Sequence, residues 1–380
     1  YKREESDSID DPSCNKQEFK KSKKDSFKTS TSKTIQVTRN LLLRNNTNCC
    51  KQGLCKNGIL YCEKNLCFSN LVVNILDKID TLKDFFKSNE WKNNPNATEV
   101  NAPILTELDH IFKTELNQQA STGKLRHNVA TESGKDLGNG DQQDAVEYLD
   151  TIFELLQEEF TVLGVSNLVH DNIQFSEVVK KRFISNGGCP ICHMLPDDRM
   201  DKKNIFRLPL PDIARGELSL ENLIHDYYSE KTQPAMRCAK CCPDHGKQCK
   251  SSSSCRTEWD YTEKREIIKN ADYLIIQVLR FNSAGHKLGV TVIPEDILTL
   301  PSTNGDNGDQ FEIVSIGDHE GDTVVSGHYV VQTIANKTWL TVDDNKRPKK
   351  KRQPKSMNNY CLLYTSDAAD DTPCVDLGGR

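Results

Sequence analysis

The chain has 380 residues, 50 Lys and Arg against 55 Asp and Glu, and a net charge of −5. That balance excludes a polycation built for nucleic acid, and no apolar window reaches the roughly 20 residues of a membrane-spanning helix. Fifteen cysteines behind no recognisable secretory leader point to an intracellular chain with metal-ligating thiols and a nucleophile, not to a disulfide framework. The first residue is Tyr1, not methionine, so a fragment is expected.

Residues 1–45 are rich in Lys, Ser and Asp and poor in apolar groups. They cannot bury enough surface to offset ordering entropy and are expected to be disordered. A cysteine-dotted loop continues to 66. Apolar residues at 68, 71, 72, 75, 76 and 79 then form one helical face, and this periodicity runs through 68–88. It returns at 103–119 and, strongly, at 141–160, where Val146, Leu149, Ile152, Phe153, Leu156 and Phe160 make a core stripe. Asp141, after a Gly-rich run, is the expected N-cap of that last helix. From about 173 the pattern turns to short strands: 175–183, 205–210, 273–281, 311–316, 329–334 and 338–342. Helices first and strands later predict an α+β protein, not a repeating βαβ sheet.

Cys67 opens the first helix. The N–H groups and dipole of a helix start favour an anion, so a cysteine there is a candidate nucleophile. Such a thiol also needs a base and a group that orients the base. His328 begins one predicted strand and Asp343 ends the next. Two antiparallel strands turning near 336–337 would bring them together, with Asp344 beside them. The plain alternative is a core histidine and a surface acidic pair. Cys189 and Cys192 form one C-x-x-C knuckle, and Cys238 and Cys241 a second. Four thiolates suit closed tetrahedral structural zinc. The segment from Gln142 and Gln143 through Asp144 to Glu147 reads, alone, as an ordinary helix start.

These boxes occur in one order: Cys67 with its helix, the Gln-Gln-Asp-Ala-x-Glu segment, two knuckles, Leu274 to Phe281, and His328-Tyr329 followed by Trp339 and Asp343-Asp344. In that order the chain resembles the ubiquitin-specific protease family of papain-like cysteine deubiquitinases. The resemblance covers roughly 58–364 and implies thumb (about 58–170), zinc-bearing fingers (about 175–270) and palm (about 271–364). It implies Cys67 as nucleophile, His328 as general base and Asp343 as orienting acid, with Asn65 and Asp344 in support. Gln143, Asp144, Glu147 and Tyr329 would hold the substrate tail. The implied cofactor is structural zinc, and the implied partners are ubiquitin and ubiquitinated proteins, with no membrane and no nucleic acid.

Two positions depart from the family's cysteine box. Lys64 replaces a turn glycine, and Cys62 stands where an oxyanion-binding asparagine is usual. Losing such a donor costs about 10²–10³ in rate, so slowed hydrolysis is expected. A ubiquitin-binding pseudoenzyme is the rival reading. A zinc-finger scaffold for nucleic acid is a third, with only a weak basic face behind it. The basic run at 347–355 reads equally as a nuclear import signal or a solvated loop, so the location is cytoplasmic, nuclear or both. Residues 365–380 lack periodicity and are expected to be a non-native tail.

Overall fold

In the computed structural model the described residues are 65–366, apart from 115–120, 138–140, 212–215, 241–257, 302–307, 324–325, 336–337, 345, 347–348 and 351–357. All of them belong to one compact unit, Cys55–Arg380. The expectations for 1–45, for Cys62, Lys64 and Cys241, for most of the basic run and for the tail beyond 366 lie outside these residues.

The apolar stripe behind Cys67 does form a helix, α1 (Cys67–Leu76), but it is not continuous to 88. The chain breaks at Asp77, and Ile79 is extended before α2 (Asp80–Ser88) begins. α3 (Pro103–Phe112) starts with proline in its first turn, where the missing N–H costs nothing. α4 (Gly123–Ser133) escaped the sequence reading, because its apolar residues are too sparse to make a stripe. α5 (Ala145–Leu163) carries the expected core stripe. Its N-cap is Asp144 and not Asp141: the Asp144 carboxylate accepts from Val146 N at 2.8 Å and Glu147 N at 3.1 Å, whereas Asp141 is exposed.

Strands follow the helices. β1 (Phe175–Phe183), β2 (Arg199–Lys203), β5 (Lys231–Met236) and β6 (Trp259–Lys269) make a sheet in the order β2-β1-β6-β5, antiparallel throughout. A larger sheet runs β13-β12-β11-β10-β14-β7-β3, with β9 on β10. Its members are β3 (Phe206–Pro209), β7 (Tyr273–Leu279), β9 (Ile297–Thr299), β10 (Gln310–Thr323), β11 (Ser326–Ala335), β12 (Thr338–Val342), β13 (Lys349–Lys350) and β14 (Asn359–Thr365). Only β3 on β7 is parallel within it. β4 (Gly216–Ser219) and β8 (Val290–Ile293) pair separately, and α6 (Leu220–Tyr228) follows β4. This is a mixed α/β fold, as the run of helices before strands predicts.

One core joins α1, α3 and α5 to the face of the large sheet, including Phe68, Leu71, Tyr148, Phe153 and Val331. α1 lies directly on β10: a Cβ at Gly317 would meet the Leu71 side chain at 2.6 Å. The absent side chain lets helix and sheet approach. A second core packs α6 against the other strand residues, and a third, small cluster surrounds Cys189 and Cys238. β14 continues to Thr365, whose pairing with Tyr273 closes the ladder one residue past 364.

Candidate active site

Three elements converge. α1 presents Cys67 at its first position, with no side-chain cap from Leu66 on the N–H groups of that turn. Asn65, two residues earlier, takes the left-handed conformation (φ 61°) that an asparagine tolerates, so the sharp approach to the helix needs no glycine at that position. The edge of α1 is set against α5 by Phe68 on Tyr148 (edge-on, 5.1 Å between centroids) and by Ser69 donating to the Tyr148 hydroxyl at 3.3 Å.

The β11–β12 hairpin supplies the base. Its register pairs Val331 with Val342. One further step sets Val330 opposite Asp343, and His328, two residues on, shares that face. His328 Nε2 lies 2.8 Å from Asp343 Oδ1 and 3.8 Å from Asp344 Oδ2. The imidazole is also hydrogen-bonded to Cys67. With Nε2 held by the carboxylate, Nδ1 is the nitrogen left for sulfur. The bond to Cys67, working against desolvation and joined by Asp343, raises His328 to about 9. Burial pushes the Asp343 carboxyl up, but Lys346 (2.6 Å) and His328 outweigh it and hold that group below its usual range.

Asp344 does a different job. It sits at φ 41° and accepts from Asn70 Nδ2 at 2.9 Å, while Asn70 Oδ1 accepts from Thr122 Oγ1 at 2.8 Å. This chain ties the end of the hairpin to α1, one turn below Cys67. Periodicity gives no signal for Asn70: it lies opposite the apolar stripe of α1, on the side of Cys67, and is buried there only because the hairpin covers it.

The residues of the Gln-Gln-Asp-Ala segment are divided by the fold. Gln142 meets Cys67 Sγ, with both Oε1 and Nε2 at 3.8 Å. Gln143 donates to the Asp136 carbonyl at 3.2 Å. Asp144 is turned inward: one oxygen caps α5 and the other accepts from the Tyr360 hydroxyl. Tyr329 is buried, with its hydroxyl accepting from Ala145 N at 3.4 Å. Glu147 is exposed on the first turn of α5. An open cleft of about 640 Å³ is lined by Asn65, Asp136, Asp141, Gln142 and Gln143 with Ser326 and Gly327 of β11, and Gln142 joins it to the thiol.

A second cluster gathers Cys189, Cys192 and Cys238, with sulfurs all within 4.8 Å of one another. Cys192 and Cys238 are 3.7 Å apart and not disulfide-bonded. Two thiolates on one tetrahedral ion at about 2.3 Å each stand about 3.8 Å apart, so the spacing fits a shared metal. Gly188 makes the knuckle turn possible, because a Cβ there would meet the His193 carbonyl at 2.6 Å. Cys192 and Cys238 come from separate knuckles, so the pairing of the two knuckles is a feature of this cluster, to which a metal can bind.

The family model described as ubiquitin carboxyl-terminal hydrolase matches residues 60–364. Among solved structures, the chain is similar to the SAGA DUB module of Ubp8, Sgf11, Sus1 and Sgf73 bound to monoubiquitin. That match has 17% identity and a TM-score of 0.64, over 87% of this chain and 75% of that one. The module bound to ubiquitin aldehyde matches at 18% identity and 0.62, over 87% and 76%. A yeast module carrying a mutant Sgf73 matches at 18% and 0.61, over 87% and 75%. At these identities the likeness is one of fold. No curated protein matches the chain by sequence.

Proposed function

Because this chain belongs to the ubiquitin carboxyl-terminal hydrolase family, a family of cysteine deubiquitinases, we propose that Cys67, His328 and Asp343 are its nucleophile, base and orienting acid. The observation that carries this reading is His328 with Nε2 at 2.8 Å from Asp343 and the same imidazole bonded to Cys67. In that arrangement the thiol proton passes to His328 before sulfur attacks the carbonyl carbon of the terminal glycine of ubiquitin, and the imidazolium beside Asp343 holds it. The tetrahedral adduct collapses, the C–N bond breaks, and His328 returns the proton to the leaving lysine amine. Water then attacks the thioester with His328 again as base, which releases the glycine carboxylate and restores the thiol.

The tail of ubiquitin would lie in the cleft between the Gln142–Gln143 loop and β11, which Gln143 and Asn65 line. Asp144 and Tyr329 support it from behind by fixing the start of α5 against the sheet. The zinc reading takes Cys241 as fourth ligand beside Cys189, Cys192 and Cys238. Zinc there would hold two hairpins together and takes no part in the chemistry. Among the described residues no helix is long and apolar enough to cross a membrane. Our reading of the location is cytoplasmic or nuclear, supported by thiols spaced for a metal and not for disulfides.

A ubiquitin derivative with a C-terminal electrophile tests the assignment. Covalent labelling of the protein is expected, with loss of labelling in Cys67→Ala. Labelling that survives the substitution overturns the nucleophile. Ubiquitin affinity with neither labelling nor turnover would leave the pseudoenzyme.

A further inference from the structure

Each thioester-forming step places negative charge on the former carbonyl oxygen, one bond from the carbon that sulfur attacks. A hydrogen-bond donor that stabilises it must sit beside the nucleophile, within about 2.7–3.1 Å of where that oxygen arrives. Gln142 brings a side-chain amide to Cys67 Sγ. Its oxygen and nitrogen are equally distant from sulfur, at 3.8 Å, so the amide lies edge-on across the thiol and does not commit either end to it. An amide so placed can present its N–H to sulfur before attack and turn it to the new oxygen when the C–S bond forms. Gln142 also lines the open cleft, so one side chain spans from that cleft to Cys67 Sγ. Its position is set from behind. Two residues on, Asp144 is pinned by the cap of α5 and by Tyr360, and Gln143 is held by the Asp136 carbonyl.

We propose that Gln142 is a further catalytic residue, the side-chain donor that stabilises the oxyanion of the tetrahedral intermediate formed on Cys67. The inference rests on Cys67 being the nucleophile. It assigns the first glutamine of the segment a chemical task distinct from the tail contacts of the second. It also supplies a donor from outside the loop that carries Cys62 and Lys64, so catalysis does not depend on that loop alone.

The experiment is steady-state hydrolysis of a ubiquitin-fluorophore conjugate by wild type, Gln142→Ala, Gln142→Glu and Cys67→Ala. It is read beside the affinity of each for ubiquitin and for ubiquitin aldehyde, whose hemithioacetal carries the oxygen in question. Loss of one oxyanion donor should lower kcat about 10²–10³-fold with KM little changed. Gln142→Glu keeps the size and removes the donor, so it should be at least as slow and guards against a packing explanation. The aldehyde should lose affinity with kcat/KM, while ubiquitin itself binds all three Cys67-containing forms alike. The proposal is overturned if kcat in both Gln142 variants stays near wild type, or if ubiquitin affinity falls as far as kcat/KM. If Cys67→Ala hydrolyses like wild type, the nucleophile assignment fails as well, and that outcome is distinct from the other two.

Discussion

His328 shows how much a single side chain gains from its neighbours. Its carboxylate partner is 2.8 Å away, the thiol lies on the other side, and together they raise it to about 9. A value raised on folding means that the imidazolium is favoured by the native state. That contribution is complete below the ordinary value near 6.5 and is lost as pH rises through about 9. In a proton NMR titration the His328 ring should therefore switch near pH 9. In Cys67→Ala its midpoint should fall, because the bond to Cys67 is the largest cause of the shift. An unchanged midpoint would mean that the ring is not paired with the sulfur. Asp344 works at the same scale: through Asn70 and Thr122 it fixes where the hairpin ends relative to α1.

At the scale of elements, the site depends on where α1, α5 and the β11–β12 hairpin begin and end. α5 starts at Asp144 because that carboxylate satisfies two amides of the first turn, and Asp144 also accepts from Tyr360 on β14. One side chain thus joins a helix start to the sheet behind the site. Asp144→Ala should destabilise the protein by about 1–2 kcal/mol for the cap, and more for the Tyr360 hydroxyl left with fewer partners. Asp144→Asn keeps a capping oxygen and should recover most of the loss. Urea unfolding of the three proteins measures this, and equal losses in both variants would remove the capping argument.

The whole molecule separates its tasks between cores. Cys67 belongs to the core that joins the helices to the large sheet, whereas Cys189 and Cys238 form their own cluster beside β1 and β6. A structural ion in the second cluster should therefore stabilise the smaller sheet without governing the thiol. Removing the metal with a chelator, or substituting Cys238→Ser, should lower the thermal midpoint by several degrees, the shift expected of a loss of one or a few kcal/mol. The rate at which iodoacetamide alkylates Cys67 should stay near that of the untreated protein. A parallel fall in both would show that the two cores are not independent.

Much of this was readable in residue order alone. Hydrophobic spacing marked α1, α3 and α5 and the later strands, because burial of one face imposes a period on the chain. The C-x-x-C knuckles and the placement of His328 and Asp343 at strand ends were equally local signals, since each rests on a short, regular geometry. Four things were not readable. They are the break between α1 and α2, the sparse α4, Asp144 in place of Asp141 as cap, and Gln142 against the thiol, the last of which depends on residues far apart in sequence. Asp144 caps α5 through its own first turn while also accepting from Tyr360 on β14, and Gln142 is placed by where α1 brings Cys67. Periodicity reports which face of an element is buried. It carries no information about which distant element covers that face, and at this site the chemistry lies in that choice.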